Sequence, residues 1–146
     1  MNIGITNDHR GVDVKLFLTE FLNGLGYNVI DYGTDSKEAA DFPDYAKKLG
    51  EGLQNKEVSL GIAICGTGIG MSIALNKTRG VICAKISNVS EAMFSRSHNN
   101  ANCMAISEDI SDSDACMIVE KFINTPFSNI EKYIRRNKKI FDREND

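Results

Sequence analysis

Short apolar runs alternate with longer amphipathic stretches along most of the chain. "NIGIT" (2–6) is an apolar run followed by polar "NDH", and it predicts a strand that ends in a loop. Val14, Phe17, Leu18, Phe21, Leu22 and Leu25 fall at helical spacing on one face, and Gly26 stops that helix. "YNVIDYG" (27–33) predicts a second strand. Phe42, Ala46, Leu49 and Leu53 mark a second helix, with Pro43 near its first turn, where a missing N–H costs least. "SLGIAIC" (59–65) is nearly all apolar or small, as expected of a strand buried on both faces. A glycine loop and a helical stretch to about Lys77 follow, then a strand "GVICAKI" (80–86). Val89 to His98 reads as a helix, "NCMAIS" (102–107) as a fifth strand, and Ala115, Ile118, Val119, Phe122 and Ile123 as another helical stripe. The last segment opens at Ser128 with "SNIE", a capping-box pattern. Its apolar positions Ile130, Tyr133, Ile134 and Ile140/Phe141 share a face, with "RR" and "KK" off it.

A strand–helix pair repeated five times, closed by a terminal helix, predicts an α/β fold. Right-handed crossovers turn that order into a five-stranded parallel sheet with helices on both faces, a three-layer sandwich. No repeat, low-complexity linker or second core interrupts residues 1–146, so a single domain is expected, with 128–146 as its C-terminal helix. Ligands of such sheets bind beyond the carboxyl ends of the strands. That edge receives Asp8 and His9 after strand 1, the Cys65–Gly70 loop after strand 3, and the segment after strand 4. His98 and Asn99 end a helix that returns the chain to the opposite edge. For His98 to join the site, its helix must project to the carboxyl edge, or a second subunit must supply the residue.

Composition narrows the partners. Apolar residues make up 42% and charged ones 25%, ordinary for a globular protein, and a net charge of −3 gives no case for nucleic acid or a membrane surface. The first residues have neither a basic segment nor a long apolar core, so no signal peptide is expected. No apolar run approaches the roughly 18 residues of a membrane span. The four cysteines show no CxxC spacing and read as reduced thiols of a cytoplasmic protein, not as a disulfide frame or a zinc site. No metal is expected. Imidazole chemistry is confined to His9 and His98, the two histidines of the chain.

"CGTGIGMS" (65–72) carries the most chemistry. A dinucleotide fingerprint fits poorly: methionine stands at 71, the loop follows the third strand, and no second mononucleotide half follows. A P-loop lacks its Gly-Lys-Ser/Thr, and a redox thiol lacks its partner. The local physics favours a fourth reading. Glycines let several N–H groups point one way, and a helix that starts there adds unpaired donors and partial positive charge. A thiol so placed is stabilised as thiolate, and the same donors can hold an adjacent oxyanion. That pairing suits abstraction of a proton alpha to a carbonyl. The alternative, a tight turn beside a buried small residue, stays open from this stretch alone. Asp8-His9 polarises a sugar or forms an Asx turn. "SHNNAN" (97–102) offers an acid or base in His98 or is a polar helix end. Arg135, Arg136, Lys138 and Lys139 hold a phosphate or are a solvated face.

Taken together, "NDHRG" (7–11), "DFPDYA" (41–46), "GIAICGTGIGMSIALNK" (61–77), "SRSHNNAN" (95–102) and "IRRNKKI" (134–140) resemble the ribose-5-phosphate isomerase B family, which includes the subunits of galactose-6-phosphate isomerase. The resemblance spans essentially the whole chain, and its specific part is Cys-Gly-Thr-Gly-x-Gly with the downstream Asn-Lys. It implies a Rossmann-like homodimer or tetramer, with its terminal helix on a partner subunit, that interconverts aldose and ketose phosphates without a cofactor. By that analogy Cys65 is the base that moves the proton through a cis-enediolate, and the backbone of Gly66, Gly68 and Gly70 holds the enediolate oxygen, with Thr67 close by. Asp8 and His98 serve ring opening, Asn99 binds sugar oxygens, and His9 and Arg136 take the phosphate, with Lys132 near them. The family builds each site between two subunits.

The chain departs from the family pattern in places that touch the substrate. Where the family often has Gly-x-Arg after the fifth strand, this chain has "SEDIS" (107–111), with Glu108 and Asp109. Lys132-Tyr133 replaces Arg-His, Asn7 replaces a small residue, and Phe42 replaces tyrosine. The expected reaction is ribose 5-phosphate to ribulose 5-phosphate. The alternatives are the same chemistry on allose or galactose 6-phosphate, and a non-catalytic subunit of a heteromeric isomerase.

Overall fold

The computed structural model describes residues 1–146. The strands are β1 (Asn2–Asn7), β2 (Asn28–Asp31), β3 (Leu60–Cys65), β4 (Cys83–Lys85) and β5 (Cys103–Ser107). The helices are α1 (Val12–Gly24), α2 (Phe42–Gln54), α3 (Ile69–Leu75), α4 (Val89–Ser97), α5 (Asp112–Asn124) and α6 (Glu131–Asp142), with turns of 3₁₀ helix at His9–Gly11 and Arg143–Asn145. The five strands form one parallel sheet in the order β2-β1-β3-β5-β4. The expected three-layer α/β sandwich is therefore present.

Strand alternation divides the core unevenly. Ile3, Ile5, Leu60, Ile62, Ile64, Met104 and Ile106 point to one face, under α1, α4 and α5. The other face carries Ala63, Cys65, Cys103 and Ala105, under α2 and α3. Small side chains there let α2 lie close: a Cβ on Gly4 would stand 2.5 Å from Leu49 Cδ1. The chain leaves β1 to one side for β2 and returns on the other side for β3. The carboxyl ends of β1 and β3 thus flank the crevice where strand order reverses, the usual ligand position of such sheets.

Three local expectations change. The fourth strand covers 83–85 rather than 80–86, because side chains replace the ladder before it: Ile82 N–H donates to Asn102 Oδ1 at 2.9 Å, and Asn102 Nδ2 donates to Gly80 O at 2.9 Å. Asn76 then covers the free side of this edge strand, accepting Cys83 N–H and donating to Cys83 O, both at 2.8 Å. The α3 helix stops at Leu75, which leaves Asn76 free for that task. The third change is at α6, where no capping box forms. Ile130 holds the N-cap position with no side-chain bond, and Ser128 Oγ donates to Ser97 O at 2.7 Å, joining α6 to the end of α4.

No helix is long and apolar enough to cross a membrane. All four cysteines are free, and no group of three or more His, Cys, Asp or Glu converges as metal ligands would.

Candidate active site

The glycine loop begins where β3 ends. Cys65 is buried, and its sulfur accepts the Gly68 N–H at 3.2 Å. Gly68 has φ +82°, a left-handed conformation, and a Cβ there would stand 2.9 Å from the Ile106 carbonyl carbon. Both facts demand glycine. The turn so made aims an N–H back at Cys65 before α3 starts. Thr67 Oγ1 accepts Ile69 N–H at 3.1 Å, while the N–H groups of Gly66, Thr67 and Gly70 find no acceptor within the chain. Ser107 Oγ donates to Gly66 O at 2.8 Å, and Glu108 N–H donates to Cys65 O at 2.9 Å. The loop is thereby pinned to the end of β5, with free donors beside a buried thiol. Such a set can hold a developing oxyanion next to a base.

Two further cysteines are disfavoured as thiolates. Burial pushes the Cys103 thiol well up, with Cys83 beside it adding to the effect. Burial, then Glu120 and Asp112, raise Cys116. Both are held as neutral thiols.

Asp8 and His9 stand at the other wall of the crevice. Asp8 is buried, and its Oδ1 accepts Arg10 N–H at 2.9 Å, so the Asx turn is real. His9 Nδ1 accepts Ala40 N–H at 3.1 Å, which leaves the proton of a neutral ring on Nε2. Asn7 exchanges hydrogen bonds with Thr34, donating from Nδ2 at 2.9 Å and accepting at Oδ1 at 3.1 Å. Lys15 is fully buried and donates to Asp35 Oδ1 at 2.7 Å and Thr34 O at 2.8 Å, with Asp31 at 3.0 Å. These two residues, which sequence reading passed over as site elements, hold the loop after β2 against the end of β1. Phe42, the other departure at this edge, lies over Gly70: a Cβ there would meet its Cζ at 2.9 Å. A further residue missed is Arg10, whose guanidinium lies beside Gly66 and pairs with Glu108, which raises the Arg10 pKa.

The remaining predicted residues are elsewhere. α4 runs from the carboxyl end of β4 back to the amino end of β5, so His98 and Asn99 lie at the amino edge. The two groups stand at opposite edges of strands that span roughly 15–20 Å. The His98 ring is stacked on Tyr133, at 4.3 Å, with the tilted ring of Phe94 at 4.9 Å, and the His98 carbonyl accepts Asn137 Nδ2 at 2.8 Å. Asn99 is exposed. Lys132 Nζ and Arg136 Cζ lie 5.0 and 5.9 Å from the Tyr133 ring centre, and neither is paired with an acid. Arg135 and Lys138 do pair along the helix, with Glu131 and Asp142, so that part of the basic cluster is a solvated face. Along α6 only Asn137 is buried, while Ile130, Ile134, Ile140 and Phe141 remain exposed. One chain thus holds the predicted site residues in two groups on opposite edges, and does not bring Cys65 and His98 together.

Comparison with known proteins gives one consistent answer. A family model described as Ribose/Galactose Isomerase matches residues 3–140. The solved ribose-5-phosphate isomerase B of Clostridium thermocellum is 38% identical and superposes with a TM-score of 0.96, covering 99% of this chain and 98% of that one. A probable ribose-5-phosphate isomerase B of Mycoplasma genitalium is 36% identical, over 94% of this chain and 96% of its own length. A structure of the ribose-5-phosphate isomerase B of Mycoplasma genitalium with bound ribulose 5-phosphate is 34% identical, with a TM-score of 0.93 over 99% of this chain and 97% of that one.

Proposed function

This chain belongs to the ribose/galactose isomerase family, and from that premise we propose that it interconverts ribose 5-phosphate and ribulose 5-phosphate. The observation that carries the reading is the Cys65 sulfur held by the Gly68 N–H beside the free N–H groups of Gly66, Thr67 and Gly70. As thiolate, Cys65 takes the proton from C2 of the open-chain aldose. Electrons move onto O1, and the free backbone donors stabilise that oxygen in the cis-enediolate. Return of the proton to C1, with the hydroxyl proton of O2 passing to O1 by way of Thr67, gives the ketose. No metal or organic cofactor is required by this sequence of steps.

Ring opening needs an acid and a base, and here Asp8 serves with His98 of a second copy. His9 and Arg136 receive the phosphate, with Lys132 beside them, and Asn99 takes a sugar hydroxyl. The two half-sites at opposite edges and the uncovered apolar face of α6 support a homodimer as the smallest active unit, with a tetramer as a further association. The acidic pair Glu108 and Asp109 supports a second reading, the same chemistry on a six-carbon phosphate such as allose or galactose 6-phosphate.

Exchange at C2 in deuterated water separates these readings. Deuterium entering ribose 5-phosphate, with ketose formed, is the expected result. Exchange in a hexose phosphate alone transfers the assignment to that sugar. No exchange in any of the three sugars refutes the catalytic reading and leaves a subunit that works only with an unlike partner.

A further inference from the structure

We propose that Arg10 is the anion-binding cation of the Cys65 half-site, and that Glu108 holds its guanidinium ready as an internal stand-in for the substrate's phosphate. The proposal rests on the sugar-phosphate reading above and adds a residue to it.

The position of Arg10 is set by its own backbone. Its N–H is held by Asp8 Oδ1 at 2.9 Å, which starts the 3₁₀ turn and sends the side chain toward the glycine loop. Cζ and Nη1 of the guanidinium each lie 3.6 Å from the point where a Cβ on Gly66 would stand. The cation therefore overhangs the loop that follows Cys65. Glu108 accepts from both Nε, at 2.8 Å, and Nη2 through one oxygen, Oε1. An arginine has five N–H donors in a planar fork, so most of the fork is still available. The Arg10 side chain is 55% exposed and that of Glu108 20%, so the guanidinium is the member of the pair that faces solvent.

The charges nearby make this cation necessary for an anionic ligand. Asp8, Glu108 and Asp109 all surround Arg10, and each favours its charged form. The other cations of this edge are committed. Lys15 is buried against Asp31 and Asp35, Lys37 pairs with Asp13, and Lys85 bonds Ser87. A phosphate approaching the glycine loop meets three carboxylates, and Arg10 is the guanidinium of this edge that offsets them, opposite the Arg136 proposed from the second copy. A phosphate dianion also fits the fork better than a single carboxylate oxygen does, so exchange of partners is favourable. Glu108 then leaves the guanidinium, or shares it, when substrate enters. Without substrate it keeps the long side chain from wandering over the loop.

The test is the kinetics of Arg10→Gln, Arg10→Lys and Glu108→Gln on whichever sugar phosphate the wild-type enzyme turns over, with inorganic phosphate as a competitive inhibitor. Arg10→Gln is expected to raise KM and the phosphate Ki by roughly tenfold or more, with kcat within about threefold. Arg10→Lys restores part of the affinity, because the charge returns without the fork. Glu108→Gln leaves KM and Ki equal to wild type or lower. If Arg10→Gln changes neither constant by more than about twofold, the pair is a surface ion pair and the proposal fails. It fails equally if Glu108→Gln raises KM as much as Arg10→Gln, since the pair then only braces the loop. A wild-type enzyme inactive on every sugar phosphate overturns the functional reading instead. In that case the Arg10 Nε resonance, followed during titration with inorganic phosphate, decides this proposal alone: a shift supports it, and no shift overturns it.

Discussion

The two proposed half-sites are built by opposite means. At the carboxyl edge, the polar groups around Cys65 are held within the chain. The sulfur takes Gly68 N–H, Asp8 takes Arg10 N–H, His9 takes Ala40 N–H, and Ser107 holds Gly66. At the amino edge, His98 is held by an aromatic stack and by one amide from Asn137, while Lys132, Arg136 and Asn99 face solvent beside the exposed isoleucines of α6. The first is organised within one chain, as the proposed proton abstraction and oxyanion stabilisation require. The second is shaped to meet something. The proposed mechanism assigns the chemistry that tolerates little displacement to the internally bonded edge of the sheet. It assigns recognition to a helix whose final position an oligomer can set.

The largest effect expected from breaking this contrast is at Cys65. Cys65→Ala should lower kcat by about 10³-fold, within the range for loss of a general base, and leave the melting temperature close to wild type. Retention of most of the turnover in the C2 exchange assay would remove Cys65 from the mechanism. Next comes complementation. Cys65→Ala and His98→Ala chains are each nearly inactive. Mixed after dissociation, they should recover about a quarter of wild-type activity, since half of the random dimers pair unlike chains and each carries one intact site. No recovery would place both residues in the same chain's site and undo the division. Third, Ile134→Asp puts a charge on the exposed face of α6. The variant should sediment as a monomer with unchanged circular dichroism and little activity; a variant that stays oligomeric would mean that this face is not the interface.

Smaller effects sharpen the contrast in rigidity. Gly68→Ala places a side chain in a left-handed conformation and against the Ile106 backbone. It should cost about 1–3 kcal/mol of stability in denaturant titration, and lower kcat more than it raises KM. Asn137→Ala removes the bond to the His98 carbonyl, worth about 1 kcal/mol. It should lower the melting temperature by about 2–4 °C and raise KM with kcat nearly unchanged. If the two variants exchange these kinetic signatures, the assignment of chemistry to one edge and recognition to the other is wrong.

Much of the fold was legible because its signals are local. A helical stripe such as Val14 to Leu25, ended by Gly26 at φ +92°, needs no distant information. The all-apolar β3 and the glycine loop are likewise readable from neighbours in sequence. Expectation failed where a distant side chain displaced a local rule. Asn102 takes the bonds that would have extended β4, and Ser128 bonds the end of α4 instead of capping α6. The same holds for the site. Cys65, Gly68 and Asp8 announce themselves by spacing, whereas Arg10 gains meaning only from Glu108, which lies 98 residues away in the chain. Asn7 stands in the sequence only as a departure from pattern and Lys15 carries no local signal, because the loop after β2 that both hold lies 20 or more residues further along the chain.

The sequence by itself determined the elements, the three-layer class, the thiol-and-glycine constellation and the family, because each depends on short-range periodicity or on a motif of fixed spacing. The tertiary structure alone decided which polar groups meet. Strand order put β1 beside β3 and so joined Asp8 to Cys65 across the crevice. The direction of α4 sent His98 to the other edge. A parallel sheet returns every helix to the amino side, so no local pattern in one chain can tell whether a helix-end histidine belongs to its own site or to that of a neighbour.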